Sequence, residues 1–213
     1  RNVAIIDEAT IDLGASTVSG TYAVTATSGG GITDSGVLAI TNGATFTVAG
    51  GQSIILDQSS TFSSTVTFTP SSGTIAAVTI NDSNAFDLKA LTTTGNLTVT
   101  AGGAVTDSGT LVVPGTATIS ASGQAVTLDD SSNNFGTIAI TGANVAITDT
   151  NAIILGAATV SGTYGITAGG AVTDSGTQEI TGVTTLAAGS SNDITLDTST
   201  NNFAAAVGIT SGR

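Results

Sequence analysis

One aspartate recurs along the whole chain at intervals of 20 to 27 residues, almost always after a short apolar-rich segment. A recurrence of this length, carried by short segments, is typical of a solenoid, in which each repeat forms one turn of a stack. The spacing therefore predicts an all-β parallel β-solenoid with about nine turns of 20–27 residues. The nine aspartates are Asp7, Asp34, Asp57, Asp82, Asp107, Asp129, Asp149, Asp174 and Asp197.

Within a turn, apolar and polar residues alternate. Leu97 and Val99 alternate with Thr98 and Thr100, which places the apolar side chains inward and the threonines outward. Gly, Asn or Asp interrupts these segments every five to eight residues, as corners require. About three short strands fit into one turn, so we predict three-sided turns whose strands stack in parallel.

A longer period lies over the turn period. The phrase V-A-I-I-D at Val3 returns as V-T-I-N-D at Val78 and as V-A-I-T-D at Val145. The tetrapeptide T-D-S-G likewise occurs three times, beginning at Thr33, Thr106 and Thr173. We therefore predict one continuous solenoid over residues 1–213, made of three copies at approximately 1–75, 76–142 and 143–213.

Charge and composition narrow the classes of partner and of chemistry. The net charge is −12 with only three basic residues, so no patch can neutralise phosphates and we expect no nucleic-acid partner. The chain has no apolar run of about 18 residues, and we expect no membrane insertion. It also lacks His and Cys, so no Ser-His or Cys-His pair can be assembled. We predict that the protein is not an enzyme.

The recurring aspartates have two interpretations. Each carboxylate can accept a backbone N–H two residues further on and close an Asx turn at a corner. Alternatively, the nine carboxylates form a column along equivalent corners and hold a hard cation such as calcium. The apolar residue stands directly before Asp in the Leu-Asp phrases (Leu56, Leu128, Leu196) but two residues before it in T-D-S-G. Either a bulge or a neighbouring corner position accounts for this shift.

The chain also resembles a known group of proteins. The phrases T-V-S-G-T-Y-x-[VI]-T-A, G-G-[AG]-[VI]-T-D-S-G and I-T-G-A-N-V-A-I-T-D resemble the repeat arrays of filamentous-haemagglutinin-like exoproteins. These are very long bacterial surface and secreted proteins, and the resemblance covers essentially the whole chain. It implies a right-handed parallel β-helix, a location outside the cell or on its surface, and an adhesive or structural role.

We therefore expect a building unit of a surface rod or fibre. The last residues are in phase with the first, so we expect the solenoid to stack end to end with another copy or to continue covalently. Host or neighbouring-cell glycans or proteins are further expected partners. The alternatives are an ice-binding protein, because threonines such as Thr65, Thr67 and Thr69 can form flat outward rows, and a carbohydrate-binding solenoid.

Overall fold

A computed structural model describes residues 1–210, which form 26 β-strands and no helix. Among these residues there is accordingly no helix with the length and apolar character needed to cross a bilayer. The strands are β1 (Val3–Asp7), β2 (Ile11–Leu13), β3 (Ser16–Val18), β4 (Tyr22–Ala26), β5 (Ile32–Asp34), β6 (Leu38–Ile40), β7 (Ala44–Val48), β8 (Ile54–Phe62), β9 (Val66–Pro70), β10 (Val78–Asp82), β11 (Phe86–Leu88), β12 (Leu91–Thr92), β13 (Leu97–Ala101), β14 (Val105–Asp107), β15 (Leu111–Ser120), β16 (Val126–Leu128), β17 (Asn134–Gly142), β18 (Val145–Asp149), β19 (Ile153–Val160), β20 (Tyr164–Ala168), β21 (Val172–Asp174), β22 (Gln178–Ile180), β23 (Thr184–Ala188), β24 (Ile194–Thr195), β25 (Asn202–Phe203) and β26 (Val207–Thr210).

The strands pair in parallel with the strands one turn further along the chain. Val3 pairs with Tyr22, which in turn pairs with Ala44, so these neighbours in the sheet are 19 and 22 residues apart in sequence. Neighbouring strands of a parallel pair lie about 4.8 Å apart, and a crossover must join them. Here the crossover is the rest of the turn. This arrangement confirms the parallel β-solenoid.

The strands form three faces that run along the stack. We call the face that contains β2 the first, the face that contains β3 the second and the face that contains β1 the third. The first face contains β2, β5, β8, β10, β13, β15, β17, β19, β22 and β25. The second face contains β3, β6 and the end of β8, then β11, β14, β16, β18, β20, β23 and β26. The third face contains β1, β4, β7 and β9, then β12, the starts of β15, β17 and β19, and finally β21 and β24.

The stack has about ten turns rather than the nine predicted from the aspartates. Each copy contributes ten strand segments, because β8, β15, β17 and β19 bend across a corner and supply two segments each. Ten segments on three faces make three and one-third turns per copy. One aspartate step in each copy, such as Asp7 to Asp34, spans four segments instead of three, and counting aspartates therefore misses one turn in ten.

Each copy consequently begins one face further round the stack than the copy before it. The equivalent first strands are β1 on the third face, β10 on the first face and β18 on the second. Three copies complete the circuit. Residues that are equivalent in sequence therefore point in three different directions.

The core is a single column of alternating side chains. Val24, Phe46, Leu56, Leu97 and Val99 are fully buried, whereas their polar neighbours along the strands face outward. Burying an aliphatic side chain of this size stabilises the fold by about 1.5–3 kcal/mol. Since most core side chains contact neighbours in adjacent turns, this burial holds the turns together.

The glycine of T-D-S-G permits close stacking at one corner in each copy. A Cβ on Gly109 would lie 2.4 Å from the backbone nitrogen of Ala90 in the turn below, and a Cβ on Gly176 would lie 2.4 Å from that of Ala157. No side chain fits at such distances, so the corner needs a residue without a Cβ.

Candidate functional site

The nine recurrent aspartates lie at strand ends, next to corners, but they are divided among the three faces. Because each copy begins one face further on, the structure splits the predicted column into three short ladders. Asp34, Asp57 and Asp82 follow strands of the first face. Asp107, Asp129 and Asp149 follow strands of the second. Asp174 and Asp197 follow strands of the third face near its end, and Asp7 lies at its beginning.

The aspartates of T-D-S-G cap the turn above. The Oδ1 atom of Asp34 accepts the backbone N–H of Asp57 at 2.9 Å. The same bond recurs from Asp129 to Asp107 at 3.0 Å and from Asp197 to Asp174 at 3.1 Å. In these three places the Asx turn predicted from sequence is replaced by a bond between turns, so the carboxylate fixes the register of the stack.

The aspartates that end the first strand of each copy do form the predicted Asx bond. Asp149 accepts the N–H of Asn151 at 2.8 Å, and with its second oxygen it accepts the N–H of Phe135, in the copy before, at 2.6 Å. Asp82 accepts the N–H groups of Asn84 and Phe62 with one oxygen, Oδ1, each at 3.1 Å, and its Oδ2 is buried without a partner. These two carboxylates therefore join one copy to the next.

Asp7 is the equivalent residue of the first copy. It accepts the N–H of Ala9 at 2.8 Å, and no turn precedes it among the described residues.

Two asparagines complete the ladders, and sequence analysis did not identify their role. Asn133 donates to Asp107 at 2.6 Å and accepts the N–H of Leu111 at 2.8 Å. Asn201 donates to Asp174 at 2.7 Å and accepts the N–H of Gln178. The recurrent Asn-Asn-Phe phrase in the sequence is the signal that could have indicated this role.

In the first copy a serine replaces this asparagine. Ser60 accepts the N–H of Leu38 at 2.9 Å, but its shorter side chain leaves Asp34 Oδ2 buried without a partner.

The aspartates of the Leu-Asp phrases point outward. Leu56 and Leu128 are fully buried, whereas Asp57 and Asp129 are exposed. Thr33 pairs with Ile55, so Leu56 lies opposite Asp34 and Asp57 falls one residue beyond it. Toward the turn below, the one-residue shift seen in the sequence is therefore a neighbouring corner position. Toward the turn above, the register shifts at this corner, between the pairs Leu56–Ile80 and Ser60–Asp82.

Burial and hydrogen bonding shift the pKa values of the ladder aspartates in opposite directions. Desolvation raises the pKa of Asp34, Asp82 and Asp149, although backbone N–H groups partly oppose this rise. For Asp174 burial acts upward as well, but the hydrogen bonds from Asn201 and Asp197 outweigh it and lower the pKa. Two of the three carboxylates with a raised pKa, Asp82 and Asp149, are those that join copies, and the third, Asp34, bonds within the first copy.

The ladders offer little room for a cation. Within residues 1–210, no group of three or more acidic side chains lies close enough together to hold a metal ion. Most inward-facing carboxylate oxygens already accept N–H groups. The calcium site expected at Asp7, Asp34, Asp57, Asp82, Asp107, Asp129, Asp149, Asp174 and Asp197 stays a prediction, which titration with calcium and a chelator tests.

The fold and its capped corners define a class: a tandem-repeat β-solenoid whose copies are fastened by side-chain bonds to backbone. A family model described as repeats of unknown function (DUF5649) matches residues 1–69, 75–141 and 142–210. The chain belongs to this family. No curated protein and no solved structure matches it.

Proposed function

We propose that this chain is a structural and adhesive rod segment, located outside a bacterial cell or on its surface. One observation carries the proposal: the recurrent polar side chains are used to hold neighbouring turns together. Asp107, Asn133 and Leu111 form such a chain of bonds in the second copy, and Asp174, Asn201 and Gln178 form it in the third. A polar group that recurs in every copy and binds backbone serves stiffness rather than turnover.

The outer surface suits many weak contacts. Outward positions carry mainly Thr, Ser, Asn and Gly, and the net charge of −12 favours solubility of a long object. About ten turns give a rod about 48 Å long. The resemblance to filamentous-haemagglutinin-like exoproteins supports the extracellular location and adhesion to host or neighbouring-cell glycans or proteins. The unit stacks or continues head to tail in a longer fibre, without catalysis and without a bound cofactor.

Two experiments test this proposal. Antibodies raised against the 213-residue chain are expected to label intact cells of the source organism as strongly as lysed cells. The labelled chain is also expected to bind a cell surface or a glycan array, with retention that increases when several copies are joined. Labelling only after lysis, together with no binding to any surface, would contradict the proposal.

A patch of stacked threonines favours ice binding as a second candidate. On the third face, Thr45 pairs with Thr67 and Thr47 with Thr69, and all four side chains face outward. The Thr47 and Thr69 hydroxyls are hydrogen-bonded to each other at 2.8 Å. A thermal hysteresis assay at high protein concentration tests this alternative, and no activity eliminates it. A glycan array combined with a reducing-sugar assay distinguishes carbohydrate binding from carbohydrate cleavage.

A further inference from the structure

The stack is interrupted at the first junction between copies, in the interior of the described chain. β9 pairs with β7 below it and with no described strand above it, whereas β11 and β12 pair only with strands above them, β14 and β15. We call the space between β9 and these two strands the junction gap. The inserted segment closes one end of it, where Ile75 bridges Thr93. An unpaired strand edge is a template for another extended chain.

Unpaired backbone groups of β9 face the junction gap. The N–H of Ala44 bonds to the Thr65 carbonyl, which fixes the phase of the ladder between β7 and β9. Because successive residues of a strand bond its opposite neighbours, Val66 and Phe68 direct their N–H and C=O groups away from β7 and into the gap. These two residues are 3% and 7% exposed, and β9 has no strand partner on that side among residues 1–210. Buried backbone groups without a partner are rare, so this edge lacks a strand.

The upper wall of the gap has the complementary pattern. Leu91 and Thr93 donate their N–H groups upward, to the carbonyls of Thr110 and Val112. Thr92 stands between them, so its N–H and C=O point down into the junction gap. An extended chain in the gap therefore finds backbone partners on both sides, β9 below and β12 above.

Two grooves lie along the free edge of β9. Val66 and Phe86 line the first, of about 330 Å³, and Phe68 and Leu91 line the second, of about 370 Å³. Val66 and Phe68 are two residues apart, which is the spacing of side chains on one face of a strand. Sheet edges that bind peptides combine the same two features, because main-chain bonds supply affinity and pockets for alternate side chains supply specificity.

We propose that the junction gap is a docking site for an extended, positively charged peptide segment of another protein. The peptide adds a strand to β9 and places two apolar side chains, separated by one outward polar residue, in the two grooves. It thereby continues the ladder of β1, β4, β7 and β9. This inference goes beyond the proposed rod function and does not depend on it.

Charge and shape favour a cationic peptide over a sugar. The chain carries a net charge of −12, and Lys89 beside the gap is neutralised by its ion pair with Asp87. A cationic partner is therefore attracted, most strongly at low salt. A sugar would need an open ring face, but Phe62 and Phe86 in the first groove are each only 3% exposed.

Peptide binding is tested with K-T-V-T-V-T-K, labelled with fluorescein, and with K-V-V-T-T-T-K, which has the same composition without the alternation. A saturable rise in fluorescence anisotropy is expected with the first peptide only. Hydrogen exchange of the Val66 and Phe68 amides should slow when this peptide binds, because the added strand supplies their acceptors. In the matched variant, Gly-Ala-Asn replaces residues 70–77, as in the connection at 142–144. There β9 pairs within the chain and binding is lost, and circular dichroism checks that the variant is folded.

Thr67→Cys tests the position of the peptide directly, since the chain contains no cysteine. Thr67 faces outward between Val66 and Phe68, so it lies about 4.8 Å from the central residue of docked K-T-V-C-V-T-K, within the span of a disulfide. Thr45 is exposed and pairs with Thr67 one strand below, about 9.6 Å from the peptide and beyond that span. The mixed disulfide should therefore form about tenfold faster with Thr67→Cys than with the matched control Thr45→Cys.

Faster trapping at position 67 together with binding that depends on the alternation supports the proposal. Equal trapping at both positions, no saturable binding, equal binding of the reordered peptide, or undiminished binding by the folded matched variant overturns it. If that variant does not fold, the two cysteine variants decide. Slower exchange of the two amides with soluble oligosaccharides, and not with the peptide, would assign the grooves to a glycan and overturn the proposal as well. None of these results alters the surface labelling of cells, by which the rod function is judged separately.

Discussion

The two junctions between copies differ in the number of faces on which strands of one copy pair with strands of the next. Only two residues separate β17 from β18 at the second junction, and Ile140, Thr141 and Gly142 pair with the turn above. Seven residues separate β9 from β10 at the first junction, and β9 pairs with no strand of the turn above in the described chain. The first junction is therefore continuous in strand pairing only on the first face.

The insertion leaves two grooves. One, of about 330 Å³, lies between Phe62–Val66 and Asn84–Asp87, and the other, of about 370 Å³, lies between Phe68–Thr74 and Ala90–Thr92. Part of the contact is kept by the inserted segment, because Ile75 forms an isolated parallel bridge with Thr93 and its carbonyl accepts the N–H of Thr94 at 2.9 Å. Side chains add to this: Asp82 caps the Phe62 N–H, and Asn84 Nδ2 donates to the Phe62 carbonyl at 3.3 Å. The comparison shows that a junction between copies tolerates the loss of strand pairing on two faces when the buried core and the capping aspartate are retained.

The largest effect is expected from Leu56→Ala, which removes a fully buried side chain beneath the one continuous face of the first junction. The loss is about 2–5 kcal/mol, as for other buried leucines. We expect urea unfolding followed by circular dichroism to show two transitions, because copy 1 separates first. Leu128→Ala, its equivalent at the closed junction, is the control and should unfold in one transition. A single transition in both variants would show that the open junction transmits cooperativity fully.

The next largest effect is expected from closing the open junction. Replacing residues 70–77 with Gly-Ala-Asn reproduces the connection found at the second junction, between Thr141 and Val145. Restored strand bonds at about 1 kcal/mol each oppose the loss of Ile75, which is fully buried and bridges Thr93, so the net change in the free energy of unfolding should stay within about 2–3 kcal/mol. Hydrogen exchange should then protect the amides of Val66 and Phe68. Unchanged exchange at both amides would mean that the insertion is not what separates the strands.

A smaller difference is expected between the two capping aspartates. Asp82→Ala and Asp149→Ala each leave a buried phenylalanine N–H without its acceptor, at a cost of about 1–3 kcal/mol. We expect the larger loss for Asp82→Ala, because fewer strand bonds surround it. Thermal unfolding of both variants measures the difference. The reverse order would indicate that the open junction has already relaxed around its cap.

The smallest effect is expected from pH. The raised pKa of Asp82 and Asp149 means that the folded chain binds protons more tightly than the unfolded chain. Through these groups, stability falls as pH rises from the ordinary value of 3.8 to the raised one, so acidification from neutral pH stabilises both junctions. Asp174, with its lowered pKa, contributes in the opposite direction at lower pH. Asp82→Asn and Asp149→Asn should flatten the slope of melting temperature against pH, and an unaltered slope in both would contradict this assignment.

The sequence was sufficient for the fold because period-two alternation and the recurrence of whole phrases both survive in every copy. It was not sufficient for the number of turns. Asp7 and Asp34 are 27 residues apart, only slightly more than the 23 between Asp34 and Asp57, yet the first step covers one strand segment more. Sequence spacing does not distinguish a longer corner from an extra strand.

The N–H partners of the capping aspartates could not be predicted from the sequence either. A carboxylate that accepts an N–H in its own turn and one that accepts an N–H in the next turn follow the same kind of local phrase. Asp34 and Asp82 both follow strands of the first face, but only the stacked neighbour decides which N–H each accepts. Pro70 and the seven residues that follow it stand where the second copy has only Gly142, Ala143 and Asn144. Their effect on β9 depends on the turn above, which the sequence does not place.

The fractional number of turns per copy has a consequence for how the rod meets its surroundings. Each copy advances by about 16 Å along the axis, from three and one-third spacings of 4.8 Å, and is rotated by one face, close to 120°. Any surface pattern that occurs once per copy therefore follows a single helical path with three steps per circuit, and it is displayed on all three faces. A rod built this way needs no preferred orientation to engage neighbours, and bundles can grow around it in all lateral directions.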